Sequence, residues 1–121
     1  MLKLLHTADL HLGCEFSQLL ADDRRKLARA RLAVVEPILA LADQYDVDAV
    51  LFAGDTFDSP NPSEDWYKGF ARALSIRQAR TRPIILLPGN HDPLADELSV
   101  FHSSHPFRHV IDYRVNEVTR D

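Results

Sequence analysis

The chain has 121 residues, the size of one domain with one core. Apolar residues at 45% and charged residues at 26% fit a soluble globular protein, and no apolar run approaches the roughly 20 residues that span a bilayer. A net charge of −4 and a pI near 5.8 exclude an all-over basic grip on nucleic acid, but not a local basic stripe or positive charge from bound metal.

The N-terminal "MLKLLHTAD" closes its short apolar stretch at once with polar residues and offers no small-residue cleavage site, so no signal peptide is expected. The single cysteine, Cys14, excludes an internal disulfide framework and fits a reducing compartment, the cytoplasm by default. No base is evident beside it, so it reads as a small packed residue rather than a nucleophile.

In chain order, "LKLL" (2–5) is the first of three near-continuous apolar runs that read as buried parallel strands; His6 is expected to pack at its end. The stretch 22–46 predicts helix, with Leu27, Val34, Ile38, Leu41 and Tyr45 on one stripe and a kink or break at Pro37. Early in it, Arg24, Arg25, Lys26, Arg29 and Arg31 read as a solvated helix face partly neutralised by Asp22 and Asp23, with phosphate-backbone contact the alternative. "AVLFA" (49–53) is the second strand. A helix over 63–78 follows, with Ser63 as N-cap, Glu64 and Asp65 in the first turn, and Trp66, Phe70, Ala73 and Leu74 as its apolar face. "IILL" (84–87) is the third strand, with Pro83 placed where a missing N–H costs least. Beyond it, 94–101 suggests a short helix. Residues 109–118 alternate like a strand, with Ile111, Tyr113 and Val115 opposite Asp112, Arg114 and Asn116. The predicted class is α/β, a parallel βαβαβ core with right-handed crossovers.

Each of the three buried runs ends in a polar cluster: Asp9 and His11, then Asp55 and Asp58, then Asn90, His91 and Asp92. A parallel sheet gathers the C-terminal ends of its strands on one edge, where such folds bind ligands, so these clusters converge in space. Capping and turn chemistry would explain the Asp and Asn residues but not His11 and His91. Carboxylate, imidazole and amide oxygen together suit Mn²⁺, Fe²⁺ or Zn²⁺. A central carboxylate such as Asp55 can bridge two ions about 3.5–4 Å apart, a spacing suited to attack on phosphorus. Asp9, His11, Asp55 and Asn90 are the expected metal ligands. His91 is expected to bind a phosphate oxygen or protonate the leaving group, with Asp58 holding its other nitrogen.

Asp9-x-His11, Gly54-Asp55-x-x-Asp58 and Gly89-Asn90-His91-Asp92 resemble the first three motifs of the calcineurin-like metallophosphoesterase superfamily. Within it, "HTADLHLG", "GDTFDSPNPS" and "LPGNHD" are similar to the SbcD-type double-strand-break repair nucleases, over about residues 2–101. The resemblance implies the first half of an α/β/β/α sandwich and a DNA phosphodiesterase, exonuclease or endonuclease. It also implies two divalent ions, usually Mn²⁺, and a metal-bound hydroxide as nucleophile. DNA is the implied substrate and an SbcC-like ATPase the partner of the full-length family member; a homo-oligomer stays open, and no membrane contact is expected. Protein phosphatases of the superfamily carry an arginine where this chain has Ser59, which counts against them.

The family's later motifs, Gly-His and Gly-His-x-His, do not occur: Gly13, Gly54, Gly69 and Gly89 each precede another residue type. The expectation is therefore that residues 1–121 are the N-terminal part of a nuclease domain, truncated, with no second domain. His102, His105 and His109 are candidate replacement ligands, although Pro106 interrupts any helix that would align them. Two rival functions use the same residues: a phosphoesterase for small nucleotides or other phosphate esters, and a catalytically incomplete half-domain that serves as an interaction module.

Overall fold

The computed structural model describes residues 1–14, 20–76, 82–95, 97–109 and 114–115. Four parallel strands form one sheet in the order β1 (Leu4–Thr7), β2 (Ala49–Ala53), β3 (Ile84–Leu87) and β4 (Arg114–Val115). Helices α1 (Ala21–Leu32) and α2 (Val35–Gln44) connect β1 to β2, and α3 (Glu64–Ile76) connects β2 to β3. The expected parallel βαβαβ core is therefore present. β4 pairs beside β3, while the rest of the expected strand at 109–118 lies outside the described residues, apart from His109 in a 3-10 turn over Pro106–His109.

The register divides the sheet into two unlike faces. Val50, Phe52, Ile84 and Leu86 point to one side and are buried with Val35, Leu39 and Ala42 of α2 and Phe70 and Leu74 of α3. Phe52 meets the Phe70 ring edge-on at 5.4 Å, and Phe57, just past β2, fills the space among Phe70, Phe101 and Phe107. Removing a fully buried ring such as Phe57 would cost about 3–5 kcal/mol. On the opposite face Leu51, Ala53, Ile85 and Leu87 are only half-buried, and Leu4 and His6 are exposed.

Several expectations are corrected here. The first strand runs Leu4–Thr7 rather than 2–5, because the Lys3 N–H goes to the Asp48 carboxylate (2.8 Å) and pairing with β2 starts at Leu4. His6 consequently sits inside the strand on the open face instead of packing at its end. The long helix does break, but at Ala33–Val34. Pro37 then lies in the first turn of α2, where its missing N–H is not needed. The break re-phases the apolar stripe: α2 buries Val35, Leu39 and Ala42, while Val34, Leu41 and Tyr45 are exposed. Ser63 does stand immediately before α3, its carbonyl accepting from the Trp66 and Tyr67 N–H groups. Tyr67, Phe70, Ala71 and Leu74 are the most deeply buried positions of that helix, leaving Trp66 and Ala73 half-buried. Residues 77 and 78 fall outside the described set.

The short helix expected over 94–101 does not form among the described residues of that stretch. Its N–H groups are committed elsewhere: Val100 donates to Pro60 O (2.7 Å) and Phe101 to Ser99 Oγ (3.1 Å). The segment is strapped to the loop after β2, and Val100 and Phe101 are buried there.

Candidate metal centre

The loops after β1 and β2 continue side by side beyond the sheet. Asp9, His11 and Leu12 N–H groups donate to Gly54, Asp55 and Thr56 carbonyls (2.9–3.1 Å), and Asp58 N–H returns to Leu12 O (2.9 Å). These bonds extend the β1–β2 ladder and fix Asp9 and His11 opposite Asp55 and Asp58. The third loop is tied in by Asp92, which is fully buried. Its Oδ1 accepts N–H bonds from Gly89 (2.7 Å) and Asp55 (3.2 Å), and its Oδ2 accepts from Phe57 (2.9 Å). Asp55 answers by accepting the His91 N–H on its Oδ1 (2.9 Å).

Burial pushes the Asp92 carboxyl above the usual carboxylate range; the N–H groups of Phe57 and Gly89 oppose this, the neighbouring Asp55 charge adds to it, and the Asp55 N–H opposes it. Asp92 is thus a positioning residue, a role that the sequence motifs alone do not assign to it. The available signal was an acid directly after Asn-His and before an apolar Pro-Leu, where a solvated carboxylate has little reason to sit.

Backbone conformation sets this region apart. Asp9 (φ 59°), His11 (φ 48°) and Asp55 (φ 51°) all adopt the left-handed region, which costs L-residues energy and gathers at functional sites. Outside the site, Asp46 (φ 48°) is the remaining such residue among those described, and it ends α2 as a left-handed cap.

Side-chain geometry puts potential donors in two overlapping groups. Ligand atoms of Asp9, His11 and Asp55 lie within 4.8 Å of one another, as do those of His11, Asp58 and His91. His11 Nδ1 is 3.1 Å from Asp58 Oδ1, so its N–H donates to that carboxylate and leaves the Nε2 lone pair facing Asp9 Oδ1 at 4.0 Å. An imidazole that ligates a metal is usually oriented in this way, one nitrogen on a carboxylate and the other on the ion. The donor set therefore fits a divalent ion. His91 Nδ1 is 3.8 Å from the same Asp58 oxygen, beyond hydrogen-bond distance, and its ring stands edge-on to His11 at 4.8 Å. Asp58 meets His11 more closely than His91. Asn90 is exposed, and the bond from the next residue's N–H to Asp55 keeps its backbone against that carboxylate.

A family model for calcineurin-like phosphoesterases matches residues 2–119 of this chain. The chain belongs to the calcineurin-like phosphoesterase family. Among similar calcineurin-like proteins, the SbcD component of the SbcCD nuclease of Rhodobacter capsulatus is 43% identical over 94 residues, covering 76% of this chain and 22% of that protein. The SbcD component of Bacillus subtilis is 34% identical over 92 residues, covering 75% and 22%. The DNA double-strand break repair protein Mre11 of Methanosarcina acetivorans is 35% identical over 91 residues, covering 75% and 14%. The chain thus spans about a fifth of the length of the SbcD proteins that it matches.

Other sequence candidates lie apart from the two donor groups. Among the described residues neither His102 nor His105 joins a cluster of metal-donor atoms. His102 Nδ1 bonds within its own turn to Ser104, and His105 packs its ring on Tyr67 at 4.9 Å. The side chain of His109 lies outside the described residues. Cys14 is a half-buried free thiol. Of the basic cluster, Arg24, Arg25, Lys26 and Arg29 are exposed, and Arg25 pairs with Asp22 (3.1 Å) as a solvated helix face would. Arg31 turns inward and donates to the Leu10 and His11 carbonyls (3.4 and 3.3 Å). Its position four residues after the half-buried Leu27 was the sequence signal for this. Among the described residues, no helix is long and apolar enough to cross a membrane.

Proposed function

We propose that this chain carries the metal-binding strand ends of a cytoplasmic, SbcD-like DNA phosphodiesterase. In this reading two divalent ions, Mn²⁺ by preference, are held by Asp9, His11, Asp55 and Asn90. The observation that carries it is His11, whose Nδ1 is engaged by Asp58 while its Nε2 faces Asp9. Asp55 suits a bridging position, because one carboxylate oxygen holds the His91 N–H and the other is left for cations. When bound, such ions supply Lewis-acid polarisation of the phosphate and activation of water, and no protein nucleophile is needed.

The chain's own residues do the rest. His91, half-exposed beside the donor groups, hydrogen-bonds a phosphate oxygen or gives a proton to the leaving oxygen. Asp58 orients the imidazoles. The same reading makes residues 1–121 the N-terminal part of a nuclease domain, with further metal donors supplied from outside them and an SbcC-like ATPase as the partner of the whole protein.

The test is Mn²⁺ binding followed by electron paramagnetic resonance, run with cleavage of linear duplex DNA. Asp55→Ala is expected to abolish binding. His91→Ala is expected to keep the metal and to lower cleavage by about 10²–10⁴-fold. Undiminished Mn²⁺ binding by Asp55→Ala would sink the proposal. A chain that binds Mn²⁺ through Asp55 and cuts nothing would keep the metal assignment and pass the nuclease activity to a longer polypeptide.

A further inference from the structure

Beside the candidate metal centre lies a second concavity, about 440 Å³, between the loop after β1, the first half of α1 and the start of α3. Gly13, Cys14, Arg24, Arg25, Arg31 and Trp66 line it, together with the acidic Asp65. We propose that it is a nucleotide subsite, in which a base stacks on the Trp66 indole and the adjoining phosphate is held by Arg24 and Arg25.

Chemistry and placement support the assignment. In a chain of net charge −4, this pocket gathers three arginines against one aspartate, with Arg25 already shared with Asp22. Arg24 makes no ion pair among the described residues, so its guanidinium is available to a phosphate. Trp66 is only half-buried although it lies on a packed helix, and the backbone of Gly13 passes against its ring; a Cβ there would come 3.6 Å from the indole. Gly13 also holds φ +94°, a conformation that keeps this rim of the pocket bare of a side chain. An aromatic face beside arginines is how proteins hold single-stranded nucleic acid without reading its sequence.

The pocket is coupled to the metal loop through backbone. Gly13 and Cys14 directly follow His11 and Leu12, Cys14 N–H donates to His11 O (3.3 Å), and Arg31 reaches from the pocket wall to the Leu10 and His11 carbonyls. A nucleotide seated on Trp66 would lie next to the phosphodiester presented to the metal centre. The subsite thus deepens the phosphodiesterase reading and rests on it for the identity of the ligand.

Trp66 is the chain's single tryptophan, so its fluorescence reports on this pocket alone. A tetrathymidylate titrated into the chain in the presence of a chelator is expected to quench that fluorescence saturably, and less so as salt rises. Arg24→Gln combined with Arg25→Gln, both on an exposed helix face, should weaken binding about tenfold without unfolding the chain. Calorimetry should show Trp66→Leu weaker by about 5- to 100-fold, with Trp66→Phe restoring most of the affinity. Quenching that does not saturate, or that inorganic phosphate competes as well as the oligonucleotide does, would overturn the subsite. So would affinity unchanged by the arginine pair. Quenching that persists in a chain unable to bind Mn²⁺ would support the subsite and count against the metal reading alone. Mn²⁺-dependent hydrolysis with a KM untouched by Trp66→Leu would do the reverse.

Discussion

Gly89 and Asp55 meet with no room for a side chain between them: a Cβ on Gly89 would stand 2.9 Å from the Asp55 carboxyl carbon and closer still to its Oδ1. The contact joins the third strand-end loop to the second and lets Asp92 and His91 bond across it. Gly89→Ala must push these loops apart. It is expected to cost about 1–3 kcal/mol in urea unfolding, and to weaken Mn²⁺ binding because Asp55 is displaced. An unchanged metal affinity would mean that the two loops do not need this approach.

Left-handed backbone at Asp9 gives a second test. The Asp9 side chain is mostly exposed and meets His11 only at 4.0 Å, so its replacement removes little packing. Both Asp9→Gly and Asp9→Ala should lose Mn²⁺. In the metal-free chain, Asp9→Gly should be the more stable of the two by about 1 kcal/mol, because alanine resists φ near +59° and glycine does not. Equal stabilities would show that this conformation carries no strain.

The contrast between what is legible in the sequence and what is not follows from the range of the interactions. Apolar runs that end in Asp9, Asp55 and Asn90 are local signals, and a parallel sheet turns them into one edge without further information. Register, helix phase and loop bracing are not local. Pro37 is compatible with both a kink and a first turn, and only the packing of α2 decides between them. The place of His6 is not legible because the start of β1 is set by Asp48, which is 45 residues away from Lys3. The roles of Asp92 and Arg31 stay hidden because their partners are backbone groups of distant loops, which no side-chain pattern reveals. The 94–101 segment has a helical composition, yet Pro60 takes the N–H that a helix would use.

Arg82 supplies a prediction about stability away from the site. Its side chain is buried, with Nη1 on Asp43 Oδ1 (2.5 Å) and Nε on Val47 O (3.1 Å), tying the end of α2 to the start of β3. A buried charge left without its partner is costly, so Asp43→Leu alone should lose about 3–5 kcal/mol. Adding Arg82→Met should recover part of that loss, since no buried charge then remains. A double variant as unstable as the sum of the two single variants would show the residues to be energetically independent.

His105 makes stability depend on pH in a defined direction. Burial lowers its pKa from the ordinary 6.5, and its Nδ1 accepts the Phe107 N–H (3.0 Å), which requires that nitrogen to be unprotonated. The unfolded chain therefore binds a proton at this residue more readily than the folded one. Between the lowered pKa and about 6.5, stability rises with pH, and it is lost as pH falls through that window. The other histidines titrate as well, so the comparison is with His105→Asn, whose amide oxygen can accept the same N–H. The melting temperature of the parent chain should fall more steeply from pH 7 toward pH 5 than that of His105→Asn. Parallel curves would mean that His105 is protonated as easily in the folded chain as in the unfolded one, and that its packing on Tyr67 imposes no charge preference.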